Sequence, residues 1–187
     1  MPICLVGCLG LAASRRAGFP ELWDPAISVG RKLGLPALAG GMLAALLVAA
    51  DRLRPLGIPN VLFPASIPFY ACAGILLEIL HRLVILTLPL WLAARLLGPG
   101  RASTAFWVTA ILLSCLEPSQ QVAGLRAVAS VPLAASILVA IFAFIFVVNL
   151  AAAVAYRRAG FLAAVAVRLG FYFVWHILRT ANGAWLK

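Results

Sequence analysis

The sequence predicts an all-α protein: a polytopic transmembrane helix bundle of about five to six spans, each needing ~20 residues. Three observations carry this expectation. Hydrophobic residues make up 65% of the 187-residue chain and charged residues only 11%, against roughly a quarter charged in a soluble domain. The mean hydropathy of +1.09 agrees. The basic residues fall mostly between apolar runs, at Arg15, Arg16, Arg31, Lys32, Arg52, Arg54, Arg95, Arg101, Arg126, Arg157 and Arg158, as loops and interfacial anchors do. The net charge of +10 is thus scattered over short connections. No basic stripe on a soluble face exists to hold a phosphate backbone, so the expected partner is the lipid bilayer and not a nucleic acid. The length allows one domain. Residues 33–187 read as a single transmembrane helical domain, and residues 1–32, with Pro20, Pro25 and four basic residues, as an N-terminal interfacial segment.

The spans follow in order. Leu33–Ala50 is the first, bounded by Arg31-Lys32 and by Asp51-Arg52-Leu53-Arg54. A proline-rich loop runs from Pro55 to Pro68. The apolar run Phe69–Leu97 is longer than a ~30 Å hydrocarbon core requires at ~1.5 Å per residue. It must tilt, protrude or break, with Arg82 and Pro89 as break points, and Gly98-Pro99-Gly100 ends it. Thr104–Leu116 begins a further span that Glu117-Pro118-Ser119-Gln120-Gln121 interrupts. Val131–Tyr156 is the most apolar segment, and Phe161–Leu178 is the last. Counting Phe69–Leu97 as one crossing puts the larger share of basic residues on the side of the N-terminus, which the positive-inside rule assigns to the cytoplasm. A second crossing within 69–97 would reverse everything downstream.

The four cysteines are Cys4, Cys8, Cys72 and Cys115. Cys72 and Cys115 lie in apolar spans and read as small core residues. Cys4 and Cys8 have no matching Cys or His pair for zinc. Leu5-Val6-Gly7-Cys8 has the residue types of a lipoprotein cleavage box, but no basic region precedes it and the apolar run is too short.

The candidate site is the run Gly74-Ile75-Leu76-Leu77-Glu78-Ile79-Leu80-His81-Arg82. A carboxylate, an imidazole and a guanidinium stand inside a segment that otherwise reads as membrane-buried, where ionisable groups are costly and mark function or pairing. Glu78 and Arg82 are four apart on a helix, in the favourable order for an ion pair. In the last span Arg168, Tyr172 and His176 are spaced i, i+4, i+8 and form one polar stripe. Arg168 stands mid-span, too deep for easy snorkelling, and is expected to pair with Glu78 or Glu117. Tyr172 reads as an apolar body with a satisfied hydroxyl, and His176 as an interfacial residue bonded to backbone or water. Asn149 reads as a helix–helix hydrogen-bonding residue. Trp91, Trp107, Trp175 and Trp185 read as an interfacial belt.

The order of these features resembles the CPBP family, the CAAX prenyl proteases and bacteriocin-processing enzymes, intramembrane metalloproteases of the Abi type. The resemblance runs from Leu22-Trp23-Asp24-Pro25 to Leu178. It is sharpest over Gly74–Arg82 and over Asn149–Leu178 around Tyr156-Arg157-Arg158-Ala159-Gly160. The family's Glu-Glu-x-x-x-Arg motif keeps its second Glu and its Arg here as Glu78 and Arg82, but its water-activating first Glu is Leu77. The Phe-x-x-x-His motif corresponds to Leu113–Val122, which has no His. The His-x-x-x-Asn motif falls on Arg168 and Tyr172, and His176 matches a family position that is often His without ligating metal.

Metal-assisted hydrolysis needs imidazoles or carboxylates on the metal and a base for the water. The chain has two histidines, and an arginine at a ligand position is permanently charged. The resemblance therefore implies a degenerate member, a pseudoprotease without cofactor that binds a membrane protein or peptide in the bacterial inner (plasma) membrane. The alternative is an active intramembrane metalloprotease with a rearranged zinc site of Glu78, His81, Glu117 and His176, Glu with His at i+3 being known in helical metal sites. A transporter is disfavoured because the chain shows neither a repeat nor paired broken helices.

Overall fold

The computed structural model describes residues 2–56, 58, 60–97, 102–128, 134–179 and 181. Gly98-Pro99-Gly100, Arg101, the first residues of the expected Val131–Tyr156 span, Trp185 and Lys187 lie outside them. The described residues form helices and connecting turns, with no strand among them. In chain order these are α1 (Pro2–Arg16), α2 (Leu35–Leu53), α3 (Ser66–Glu78), α4 (Thr87–Leu97), α5 (Ala102–Val128), α6 (Ala135–Ala159) and α7 (Phe161–Tyr172). Three wide, π-helical stretches extend them: Gly30–Gly34 leads into α2, Ile79–Leu86 joins α3 to α4, and Phe173–Leu178 continues α7.

Four helices are long and apolar enough to cross a membrane: Gly30–Leu53, Ser66–Ala93, Ala135–Ala159 and Phe161–Leu178. This is fewer than the five to six expected. The difference lies in α1 and α5. The 15 residues of α1 fall short of the ~20 a crossing needs. The 27 residues of α5 suffice in length, but Glu117 to Gln121 dilute its apolar character.

α2 shows the environment the bundle is built for. Its buried positions Pro36, Gly40, Ala44 and Leu47 are mostly small, while Leu38, Met42 and Leu46 are exposed. Small residues inward and large apolar residues outward suit helix packing within lipid. α7 is the central helix and packs against α2, α3 and α6. At its crossing with α2 the backbones nearly touch. A Cβ on Gly40 would run into the Val167 carbonyl, and one on Gly170 into the carbonyl of Ala37. Gly160 alone links α6 to α7 at φ +82°, a left-handed conformation that favours glycine. It turns the chain where the basic connection Arg157-Arg158-Ala159-Gly160 was expected.

Side-chain links fix the helix directions. α2 and α7 run parallel, with Asp51 paired to Arg179 at their ends at 2.8 Å. Arg54 at the end of α2 reaches Ser136 at the start of α6 (2.8 Å). Arg157 at the end of α6 reaches Ser103 at the start of α5 (3.1 Å). One end of the bundle therefore carries the C-termini of α1, α4 and α6, with Arg15, Arg16, Arg95, Arg157 and Arg158. The other carries Arg52, Arg54, Arg126 and Arg179.

Several expectations need correction. Residues 2–16, within the segment read as interfacial, are a helix packed on Ile79–Leu86 and α4. The run from Ser66 to Leu97 does not break at Arg82 or Pro89. It widens over Ile79–Leu86, just ahead of Pro89, whose ring would clash with the carbonyl of Ile85 in a regular turn. Thr87 Oγ1 donates to the Arg82 carbonyl across this stretch (2.6 Å). α5 passes through Pro118 without interruption. Cys72 is exposed and not a core residue. Trp175 is 2% exposed and belongs to the core around Ala44, Leu47 and Phe171, not to an interfacial belt. Its guanidinium neighbour Arg179 lies 4.4 Å from the ring centroid.

Candidate functional site

The four charged residues singled out in the sequence meet in the bundle interior. Glu78 and Arg82 are fully buried, Arg168 is 1% exposed and Glu117 is 7% exposed. They form an alternating row. Arg82 Nε donates to Glu78 Oε2 at 2.9 Å, and Arg168 Nε donates to Glu78 Oε1 at 2.9 Å. Arg168 Nη1 then donates to Glu117 Oε1 at 3.1 Å. The same nitrogen is 3.0 Å from Glu117 Oε2, an oxygen toward which no donor is well directed. Two carboxylates against two guanidiniums make the row neutral. A buried pair withstands its desolvation cost only when the geometry is good and the remaining donors are satisfied. The expected pairing of Arg168 with Glu78 or Glu117 is met by both at once.

Asn149 on α6 closes the row from behind. Its Oδ1 accepts from Arg168 Nη2 at 2.7 Å, its carbonyl accepts from Arg82 Nη2 at 2.8 Å, and its Nδ2 donates to the Ile145 carbonyl at 3.0 Å. One amide thus joins α6 to both arginines, more than the helix–helix role expected of it. The wide stretch Ile79–Leu86 places His81, Arg82, Leu83 and Leu86 all inside. Consecutive residues His81 and Arg82 both face the interior there.

A second polar strand, missed in the sequence, runs from the row toward the end that carries Arg157. Thr87 Oγ1, which holds the Arg82 carbonyl, is 2.7 Å from Tyr156 Oη. Tyr156 donates to Ser14 Oγ at 2.7 Å. Ser14 and Thr87 carry no charge and belong to no motif that marks them in the sequence. Their only signal was register: Gly7, Gly10 and Ser14 are buried on one face of α1 at helical spacing.

On the other side of the row lies a cavity of about 310 Å³. Apolar side chains from α3, α6 and α7 form its walls, among them Ala73, Leu77, Phe144 and Phe171. Arg168, Glu117, Gln121, Tyr172 and His176 supply its polar part. The stripe Arg168, Tyr172, His176 therefore faces one space, although the helix widens within it. Tyr172 and His176 stand edge to face at 5.0 Å. His176 stacks on Tyr70 at 3.7 Å, and its Nδ1 bonds to the side chain of Asn60.

As placed, the four residues of the alternative zinc set are turned to different partners. Glu78 has both oxygens engaged by guanidiniums, and Arg168 stands between Glu78 and Glu117. His81 Nδ1 comes within 3.8 Å of Glu117 Oε2, while His176 is held away at Asn60 and Tyr70. Among the described residues no group of three or more His, Cys, Asp or Glu side chains is placed to hold a metal ion. The four-residue set Glu78, His81, Glu117 and His176 is thus not assembled around one point.

No protein-family model, curated protein or solved structure matches this chain.

Proposed function

We propose that the chain is an integral membrane protein of the CPBP intramembrane protease type that has lost catalysis and binds an apolar segment of a membrane protein or peptide in the cavity beside Leu77. The observation that carries this reading is the make-up of the cavity. At the three matched motif positions that reach it, Leu77, Arg168 and Tyr172, it offers an apolar side chain, a fixed cation engaged with two carboxylates, and a phenol. That set can receive an apolar chain with one polar group, as small-molecule and peptide pockets commonly do. It lacks a base beside an open metal site. In this reading α5 is a fifth crossing, with its one carboxylate, Glu117, turned into the bundle interior. The arginine-rich end with Arg157 and Arg158 faces the cytoplasm, in a bacterial inner membrane.

The test uses the full-length protein in liposomes with a benzophenone side chain at Leu77 and synthetic single-span peptides as ligands. Cross-linking should be saturable and should fall when Ala73→Trp fills the cavity without touching the charged row. The same peptides, with and without added zinc, are followed for cleavage. Elemental analysis after dialysis should give far less than one zinc per chain. Non-saturable labelling that Ala73→Trp leaves unchanged would remove the binding reading. Cleavage lost on Glu117→Gln or His81→Ala with stability intact would establish the rearranged metalloprotease instead.

A further inference from the structure

A groove of about 340 Å³ lies between α5 and α6 at their Arg157 end, far from the charged row. It is lined by Trp107, Val154, Arg157 and Arg158. Arg157 is held in place. Its guanidinium lies 4.6 Å from the Phe106 ring centroid and 5.7 Å from that of Trp107, and it donates to Ser103 Oγ at 3.1 Å. Arg158, next in sequence, is exposed. The indole of Trp107 and the side chain of Val154 give the groove an apolar wall that continues down the helix pair.

Among the described residues no acidic side chain pairs with the charge at this groove. The chain has five acidic residues, and each is engaged elsewhere. Glu78 and Glu117 belong to the buried row. Asp51 pairs with Arg179, Glu21 with Arg15 at 2.6 Å, and Asp24 accepts from the backbone of Ala26 at 2.9 Å. None reaches Arg157 or Arg158. The C-terminal carbonyls of α6 favour cations nearby, but partial charges on one helix end do not balance two guanidiniums. The unbalanced charge and the apolar wall together suit an anion that carries hydrocarbon. Basic pockets between membrane helices suit phosphate head groups, and guanidinium binds phosphate through two parallel hydrogen bonds.

We propose that this groove is a binding site for an anionic phospholipid. The phosphate sits between Arg157 and Arg158, and one acyl chain lies along Val154 and Trp107 between α5 and α6. The inference is independent of what occupies the cavity beside Leu77.

The test is quenching of Trp107 by phospholipids with brominated acyl chains, in vesicles of phosphatidylcholine containing equal fractions of either brominated phosphatidylglycerol or brominated phosphatidylcholine. The Trp107 signal is the difference between wild type and Trp107→Phe. Phosphatidylglycerol should be preferred by about fivefold per guanidinium, on the order of twenty-five-fold for the two. The preference should vanish in Arg157→Gln/Arg158→Gln and persist in Arg95→Gln, which removes a charge at the same end but outside the groove. Val154→Trp keeps both arginines and should block access of the brominated chain to Trp107. Equal quenching by the two lipids in wild type would overturn the proposal, as would a preference that survives loss of both arginines. A preference abolished by millimolar inorganic phosphate would also overturn it, showing a site for a soluble anion and not for a lipid.

Discussion

Arg168→Met would remove the inner cation of the row Arg82, Glu78, Arg168, Glu117 and leave Glu117 without a guanidinium. It deletes three hydrogen bonds, to Glu78, Glu117 and Asn149, and changes the row from neutral to a net charge of −1. Breaking a buried pair from one side costs about 3–5 kcal/mol. For a chain of this size that is roughly 6–20 °C in thermal midpoint, at about 2–4 °C per kcal/mol. Glu117→Gln should cost less, about 1.5–3 kcal/mol, because Glu117 ends the row and touches one guanidinium. The order of the row then makes the two double variants differ. Glu117→Gln/Arg168→Met removes an end pair and leaves Glu78 with Arg82 intact and neutral at 2.9 Å. It should be milder than the sum of its singles by about 2 kcal/mol. Arg82→Met/Glu117→Gln removes the two ends of the row, which share no partner, so the singles should nearly add. The measurement is a pair of double-mutant cycles by SDS titration in mixed micelles, followed by circular dichroism, with thermal midpoints in detergent alongside. Equal coupling in both cycles would refute the row, and a shift under about 2 °C for Arg168→Met would refute its weight in stability.

Two further outcomes follow from the packing. At the α2–α7 crossing, Gly40→Ala and Gly170→Ala each drive a methyl into a backbone carbonyl and should cost about 1–3 kcal/mol. Gly41→Ala meets Val174 at an ordinary 3.6 Å and should be close to neutral in the same SDS titration. Tyr156→Phe keeps the ring against Phe19, where the centroids are 4.5 Å apart, but leaves Thr87 and Ser14 without their shared partner. It should cost about 1–3 kcal/mol, and Ser14→Ala added to it should cost little more in a cycle on thermal midpoints.

What the sequence revealed and what it hid follow from range. The apolar runs that became α2, α6 and α7 were legible because composition and length alone mark them. The pairing of Glu78 with Arg82 was legible because it is local, four residues apart. Arg168 was placed correctly because a fixed charge at mid-span has few places to go. The α1 helix was hidden because its buried face is Gly7, Gly10 and Ser14, small residues that carry little hydropathy signal. The widening over Ile79–Leu86 was hidden because it has no residue of its own. Only Pro89 hinted at it, and the hint was taken for a break. The bridging by Asn149 and the Ser14–Tyr156–Thr87 strand join segments some seventy to a hundred and forty residues apart, which no local pattern encodes.

The position of Arg168 bears on how the bundle accommodates two buried carboxylates. Glu78 and Glu117 both point toward one place in an interior of low dielectric, where two carboxylates repel strongly. Something positive must stand between them, and either a metal ion or a basic side chain would serve. Arg168 meets that need from within the chain. Its Nε serves one carboxylate and its Nη1 the other, while Nη2 takes the amide of Asn149. The guanidinium placed between them engages Glu78 Oε1 and Glu117 Oε1, while Glu117 Oε2 has no well-directed donor. On the proposed reading, the chemistry that such carboxylates could offer is given over to cohesion. What stays open is the space beside the row, where Leu77 turns an apolar surface to the cavity. On that reading the space is a seat for an apolar chain beside a neutral network of charges.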